Sequence, residues 1–180
     1  TIKSTGSGTL TIATGGITSG NELTNTLTLD GTGAITISAV IGDGSASGFV
    51  MLTQANSNTV TLSGTNTYTG GTTISGGTLS LVGGSLSSSG ALTVNGGTLA
   101  LGNNHANQTV TTLTLGVNGG SITASGTSTI TASTEFADDS NTTASVQAIL
   151  AGTGIAYTKS GSGTTTLSGA NTYTGGTTIN

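Results

Sequence analysis

The chain has 180 residues, of which two are lysines, six are carboxylates and one is a histidine, for a formal charge of −4. Charged residues make up 4% of it, against roughly 25% in an ordinary globular domain. With no Arg it cannot neutralise a run of phosphates, which argues against nucleic acid as a partner. The absence of Cys removes disulfides, thiolate metal sites and thiol nucleophiles. No stretch reaches the roughly 18 consecutive apolar residues of a membrane helix, so membrane insertion by this segment is not expected. Mean hydropathy is positive, at +0.18, and apolar residues are spread evenly, so the chain reads as folded rather than disordered.

In chain order, short apolar–polar alternations appear at 9–12, 27–29, 35–37, 60–62, 79–81, 99–101 and 113–115. Strand side chains point alternately to opposite faces, so each segment buries one face and wets the other. About 40 Thr residues, nearly a quarter of the chain, suit the pleat because they are β-branched. The one stretch arguable as a helix, 142–150, still alternates through Val146 and Ala148 and holds poor helix formers. Glycine pairs separate the segments, among them Gly15-Gly16, Gly76-Gly77, Gly83-Gly84 and Gly96-Gly97, and such pairs turn sharp corners.

Repeats define the architecture. Residues 74–81 (ISGGTLSL) return 20 positions later as 94–101 (VNGGTLAL), and a degenerate third copy occupies 117–123. A period near 20 predicts an all-β, right-handed parallel β-helix of eight or nine rungs, a rod on the order of 40 Å long at about 4.8 Å per rung. One solenoid segment over 1–180 is expected. A larger repeat is superimposed: 62–74 (LSGTNTYTGGTTI) returns as 167–179 (LSGANTYTGGTTI), with twelve of thirteen positions identical. Thr53-Gln54 faces Thr158-Lys159, and the opening residues 1–16 read as a shortened copy.

Residues 159–180, KSGSGTTTLSGANTYTGGTTIN, resemble the autotransporter-associated β-strand repeat, also called the passenger-associated transport repeat. Residues 53–82 look like a second copy, and 148–154 resemble the lead-in found upstream of it. The resemblance implies a passenger exported by type V secretion, displayed at or released from the outer surface of a Gram-negative bacterium. It also implies an outer-membrane translocator as partner, and a repeat that aids export as a stable folding block. Large repeat proteins of other secretion types share this repeat.

Within the repeat core, Asn66 and Asn171 are expected at rung corners, bonding neighbouring backbone or stacking in a ladder. Tyr68 and Tyr173 are expected to cover apolar corners with their hydroxyls in water, with ligand stacking as the competing reading. Gly70, Gly71, Gly175 and Gly176 form the adjoining corners. His105 stands alone in a polar loop and makes neither a triad nor a metal site. Asp138-Asp139 with Glu135 reads as a solvated loop tip rather than a cation site. Gly42-Asp43-Gly44 occurs once, whereas calcium-binding nonapeptides work as arrays.

No cofactor is expected. With no Arg and no carboxylate pair at useful spacing, the groups for general acid–base catalysis are missing, so no enzyme activity is expected. The leading reading is a structural extracellular or cell-surface stalk or fibre, self-associating end to end or laterally. The chain opens on Thr1 and neither end carries a capping pattern, so it reads as a length of a longer rod or a subunit that stacks head to tail. Two alternatives are an adhesin-type module binding a glycan or surface, and an ice-binding protein presenting Thr-x-Thr ladders. Spacings of 20, 23 and more residues argue against the register that such ladders need.

Overall fold

A computed structural model describes residues 1–20, 23–44, 48–102 and 107–180. His105 lies outside the described residues, among which there is no helix. All strand pairing is parallel. The largest sheet stacks β1 (Ile2–Ser4), β4 (Asn25–Gly31), β7 (Val50–Gln54), β9 (Thr72–Ile74), β11 (Leu92–Val94), β13 (Gln108–Leu115), β15 (Thr129–Asp138), β18 (Tyr157–Lys159) and β20 (Thr177–Ile179), with β17 (Ile149–Ala151) also pairing on β15. An eight-stranded sheet stacks β2 (Leu10–Ile12), β5 (Ile35–Ile37), β8 (Thr59–Leu62), β10 (Thr78–Leu81), β12 (Thr98–Leu101), β14 (Gly120–Ala124), β16 (Ala144–Val146) and β19 (Thr165–Leu167). A third side is made of shorter pairings. These are β3 (Ile17–Thr18) on β6 (Ile41–Gly42), a bridge from Thr65 to Ser85, and the first halves of β13 and β15 with β17. Segment 142–150 holds β16 and the start of β17, joined by a two-residue bend, and no helix.

The result is a parallel β-solenoid of about seven turns. That is fewer than the eight or nine expected from a 20-residue period, because several turns are longer than the repeat that sets the period. Val60 to Leu79 is one step of 19 residues, whereas Leu10 to Ile35 is one of 25. In the Leu10–Ile35 step the additional residues sit between strands and leave the pairing register undisturbed, whereas between β13 and β15 the register shifts by one residue between Val110 and Thr112.

Alternation decides which residues point inward. Ile35, Val60, Leu79, Leu99, Ile122 and Val146 are register partners on successive turns of the eight-stranded sheet, and all are fully buried. On the largest sheet, Gln54, Ile74, Val94, Leu115, Asp138 and Lys159 form the equivalent inward column. Each buried Leu or Ile contributes on the order of 1.5–3 kcal/mol by leaving water, and contacts only the turns above and below, so stability accumulates along the axis.

The outward positions keep register too, contrary to the expectation drawn from uneven spacing. On the eight-stranded sheet one rank runs Thr59, Thr78, Thr98, Ser121, Ser145, Thr166. A second, two residues further along each strand, runs Thr11, Thr36, Thr61, Ser80, Ala100, Thr123. Unbroken parallel pairing on this sheet forces this: once one inward pair is aligned, its neighbours on the two strands are aligned with it.

Candidate functional site

The repeat core holds successive turns together at the third side. Asn66 Oδ1 accepts from the Ile41 amide at 2.9 Å, and its Nδ2 donates to the Ser85 carbonyl at 2.7 Å, one turn in the other direction. The next amide, Thr67, donates to the Ile41 carbonyl at 2.8 Å. Side chain and backbone together therefore replace a strand-pairing step where the chain bends. Asn171 repeats half of this, accepting from the Leu150 amide at 2.8 Å while Thr172 donates to the Leu150 carbonyl at 2.8 Å.

Tyr68 corrects the expectation of a hydroxyl in water. The residue is fully buried, and its hydroxyl meets Thr72 Oγ1 at 2.5 Å. Burial pushes the phenol pKa up to about 12, outweighing the Thr72 hydroxyl and a Ser87 backbone contact, both of which lower it. Tyr173 makes the same bond to Thr177 at 2.7 Å, but its ring is only half-buried.

The glycines allow the close approach that this packing needs. Gly70 and Gly175 donate to the Val50 and Ile155 carbonyls of the preceding turn, at 3.0 and 2.8 Å. A Cβ on Gly70 would sit 2.7 Å from the Val50 oxygen, and one on Gly175 would sit 2.5 Å from the Ile155 carbonyl carbon. Gly71 and Gly176 take φ of +90° and +86°, the left-handed region that side chains disfavour.

The acidic cluster is not a loop tip. Glu135 and Asp138 lie on β15, and the alternation that exposes Glu135 turns Asp138 into the core, where it is fully buried. Asp138 Oδ2 accepts from the Tyr157 hydroxyl and the Thr165 hydroxyl, each at 2.6 Å. Oδ1 accepts from the Ser140 amide at 3.0 Å and the Ser140 hydroxyl at 2.5 Å. Lys159, the register partner of Asp138 on the next turn, brings Nζ to 3.5 Å from Oδ1 and donates to the Ser140 carbonyl and hydroxyl, each at 3.2 Å. Burial alone would raise the Asp138 carboxyl, but the donors around it win and hold it below the usual range. Burial, with the Asp138 carboxylate beside it, pushes the Tyr157 phenol far up. Phe136 and Tyr157 both lie against the Tyr173 ring, at centroid distances of 5.8 and 6.2 Å.

Gln54 occupies the position matched by Lys159 and solves the same problem without charge. Fully buried, it donates to the Asn56 and Gly76 carbonyls at 3.1 and 3.0 Å and accepts from the Asn56 amide at 2.7 Å. Lys3, the other lysine, faces its register partner Asp30 at 3.3 Å on the surface, where such a pair contributes little. Asp43, from the Gly42-Asp43-Gly44 segment, ties turns together by accepting from the Val50 amide at 2.7 Å and the Thr69 hydroxyl at 2.6 Å. Burial opposes its ionisation, yet these donors keep its carboxyl below the usual range.

Sequence reasoning missed the Asp138–Lys159–Tyr157 network. The available signal was a spacing of 21 residues between Asp138 and Lys159, one turn of the solenoid, which places opposite charges side by side. Among the described residues, no group of three His, Cys, Asp or Glu side chains could hold a metal ion. The arrangement cross-links turns through buried hydrogen bonds.

Three stretches of the chain, 52–81, 82–101 and 158–180, match the Passenger-associated-transport-repeat family. The first and third hold the two NTYTGGTT strings, and the second covers the single turn that ends at β12. The chain thus carries passenger-associated transport repeats. No curated protein and no solved structure shows a significant match to it.

Proposed function

We propose that this chain is a structural, non-enzymatic length of a secreted or cell-surface solenoid, serving as the stalk or fibre of an exported passenger. The observation that carries this reading is the coincidence of passenger-associated transport repeats with a parallel stack held turn to turn by buried side chains. Three of the carboxylates, Asp30, Asp43 and Asp138, are engaged in bonds that tie turns together or brace a corner, which suits a mechanical role. A stack with nearest-neighbour contacts lengthens without any new kind of contact, and its reach grows by about 4.8 Å per turn. End-to-end self-association into filaments belongs to the same reading, since a heterologous contact that does not close builds an open fibre.

The test is to place the chain between an epitope tag and an outer-membrane β-barrel translocator, then delete residues 52–101. The tag should be accessible to external protease and antibody with the chain intact. Its surface display should fall sharply in the deletion. Equal display with and without these turns would remove the export-and-stalk role. Negative-stain images of the purified chain examine the filament part separately: rods of variable length are expected, and discrete short particles would overturn it.

A further inference from the structure

We propose that the outward face of the eight-stranded sheet binds ice. The two ranks of hydroxyl-bearing residues on this face, such as Thr59 and Thr61, Thr78 and Ser80, and Thr98 beside Ala100, stay in register from turn to turn. Strand geometry sets the array: about 4.8 Å between turns, and about 6.6 Å between the two ranks. Only an occupant that repeats in two directions can meet all these groups at once, and the oxygen lattice of ice does so at comparable distances. Each Thr offers a methyl group and a hydroxyl that both donates and accepts, matching a surface of water molecules.

Charge and area single out this occupant. None of the eight strands holds a charged or aromatic residue. A charged group would keep a hydration shell that does not fit a crystal lattice. A glycan or protein partner would want the aromatic and Arg anchors that this face lacks. The two ranks run side by side over the four turns from β8 to β14, a strip about 10 Å wide and about 19 Å long, or roughly 190 Å². A standard protein interface buries about 800 Å² per partner, so a second copy of the chain would be poorly held. The largest sheet is the internal contrast. Its outward column of Thr28, Thr53, Thr73, Thr93 and Thr114 is also in register, but the neighbouring column is interrupted by exposed Met51 and by Glu135.

The test uses the intact chain at micromolar concentration and reads the gap between the melting and freezing points of a single ice crystal. A measurable gap with faceted crystal growth is expected. It should disappear in the double variant Thr78→Lys/Thr98→Lys, and persist in Thr73→Lys/Thr93→Lys on the other sheet, with both variants matched to the parent by circular dichroism. Ala100→Thr, which completes the second rank, should widen the gap, and this variant decides the matter if the double variant fails to fold. No gap in the parent, equal loss in both double variants, or an unchanged gap in Ala100→Thr would overturn the proposal. So would a dimer in sedimentation that the Thr78→Lys/Thr98→Lys change dissolves, which would identify a second copy as the occupant.

Discussion

The NTYTGGTT string occurs twice in nearly identical flanks, yet the two copies sit in different surroundings. In the first, Asn66, Tyr68 and Ile74 are 5%, 0% and 0% exposed. In the second, Asn171 and Tyr173 are half-buried, and Ile179, the counterpart of Ile74, is 76% exposed. The local bonds are the same: each Asn accepts from an amide of the preceding turn, and each Tyr hydroxyl meets a Thr four residues on. What differs is the turn stacked on the other side. Asn66 donates to Ser85 across that boundary, and Ile74 packs in register with Val94. The motif therefore builds its own corner, while a neighbouring turn provides the burial.

The largest contrast should come from the tyrosines. Tyr68→Ala removes a fully buried ring and should cost about 3–5 kcal/mol; Tyr173→Ala, with less to lose, should cost under half of that. Urea unfolding measures both. Equal losses would mean that the second copy is as enclosed as the first.

A comparable loss is expected where the repeats differ in sequence, at the position of Gln54 and Lys159. Asp138→Ala leaves the Lys159 ammonium buried without its counter-ion and should cost about 3–5 kcal/mol. Adding Lys159→Met should recover the part of the loss that comes from the unpaired ammonium, while the Tyr157 and Thr165 hydroxyls stay without their acceptor in both variants. If the double variant is no better than the single one, the hydroxyl bonds to Asp138 matter more than the ion pair.

The corner asparagines come next. Asn66→Ala strands the Ile41 amide and the Ser85 carbonyl and should cost about 1–3 kcal/mol. Asn171→Ala should cost less, because it strands only the Leu150 amide, at a half-buried corner. Hydrogen exchange at the Ile41 and Leu150 amides would report the two corners separately.

The smallest effect is on pH dependence. The folded-state pKa of Asp138 lies below its ordinary 3.8. Its stabilisation is therefore fully present above the unfolded value and is lost as pH falls through the folded one. Asp30 and Asp43 are shifted the same way, so Asp138→Asn should flatten the acid limb of a urea-midpoint titration without abolishing it. At the other extreme, Tyr68 is raised from 10 to about 12. Its contribution is complete below pH 10 and fades as pH rises toward 12; Tyr68→Phe should reduce the alkaline slope without abolishing it, because Tyr157 is raised as well.

Much of the fold was legible because alternation and glycine punctuation are local. Ile35-Thr36-Ile37 and Leu79-Ser80-Leu81 declare a buried and a wetted face without reference to anything distant. The count of turns was less legible: 20 residues separate the two best-matched strings, whereas the early turns carry additional residues at their corners. Asp138 was misjudged because a pair of aspartates is ordinarily solvated. Only its phase within β15, set by Phe136 and Ala132 facing inward, brings it into the core.

By itself the sequence determined that the chain is all-β, that its strands are short and one-sided, and that a passenger-type repeat recurs within it. Those properties live in neighbouring residues. The tertiary structure alone decided which turn lies on which, and with that the burial of Tyr68, the pairing of Asp138 with Lys159, and the alignment of hydroxyls into ranks. The physical reason is that parallel pairing couples residues about twenty or more apart through backbone hydrogen bonds, so register absorbs irregular corner lengths that the linear spacing of the sequence displays as disorder.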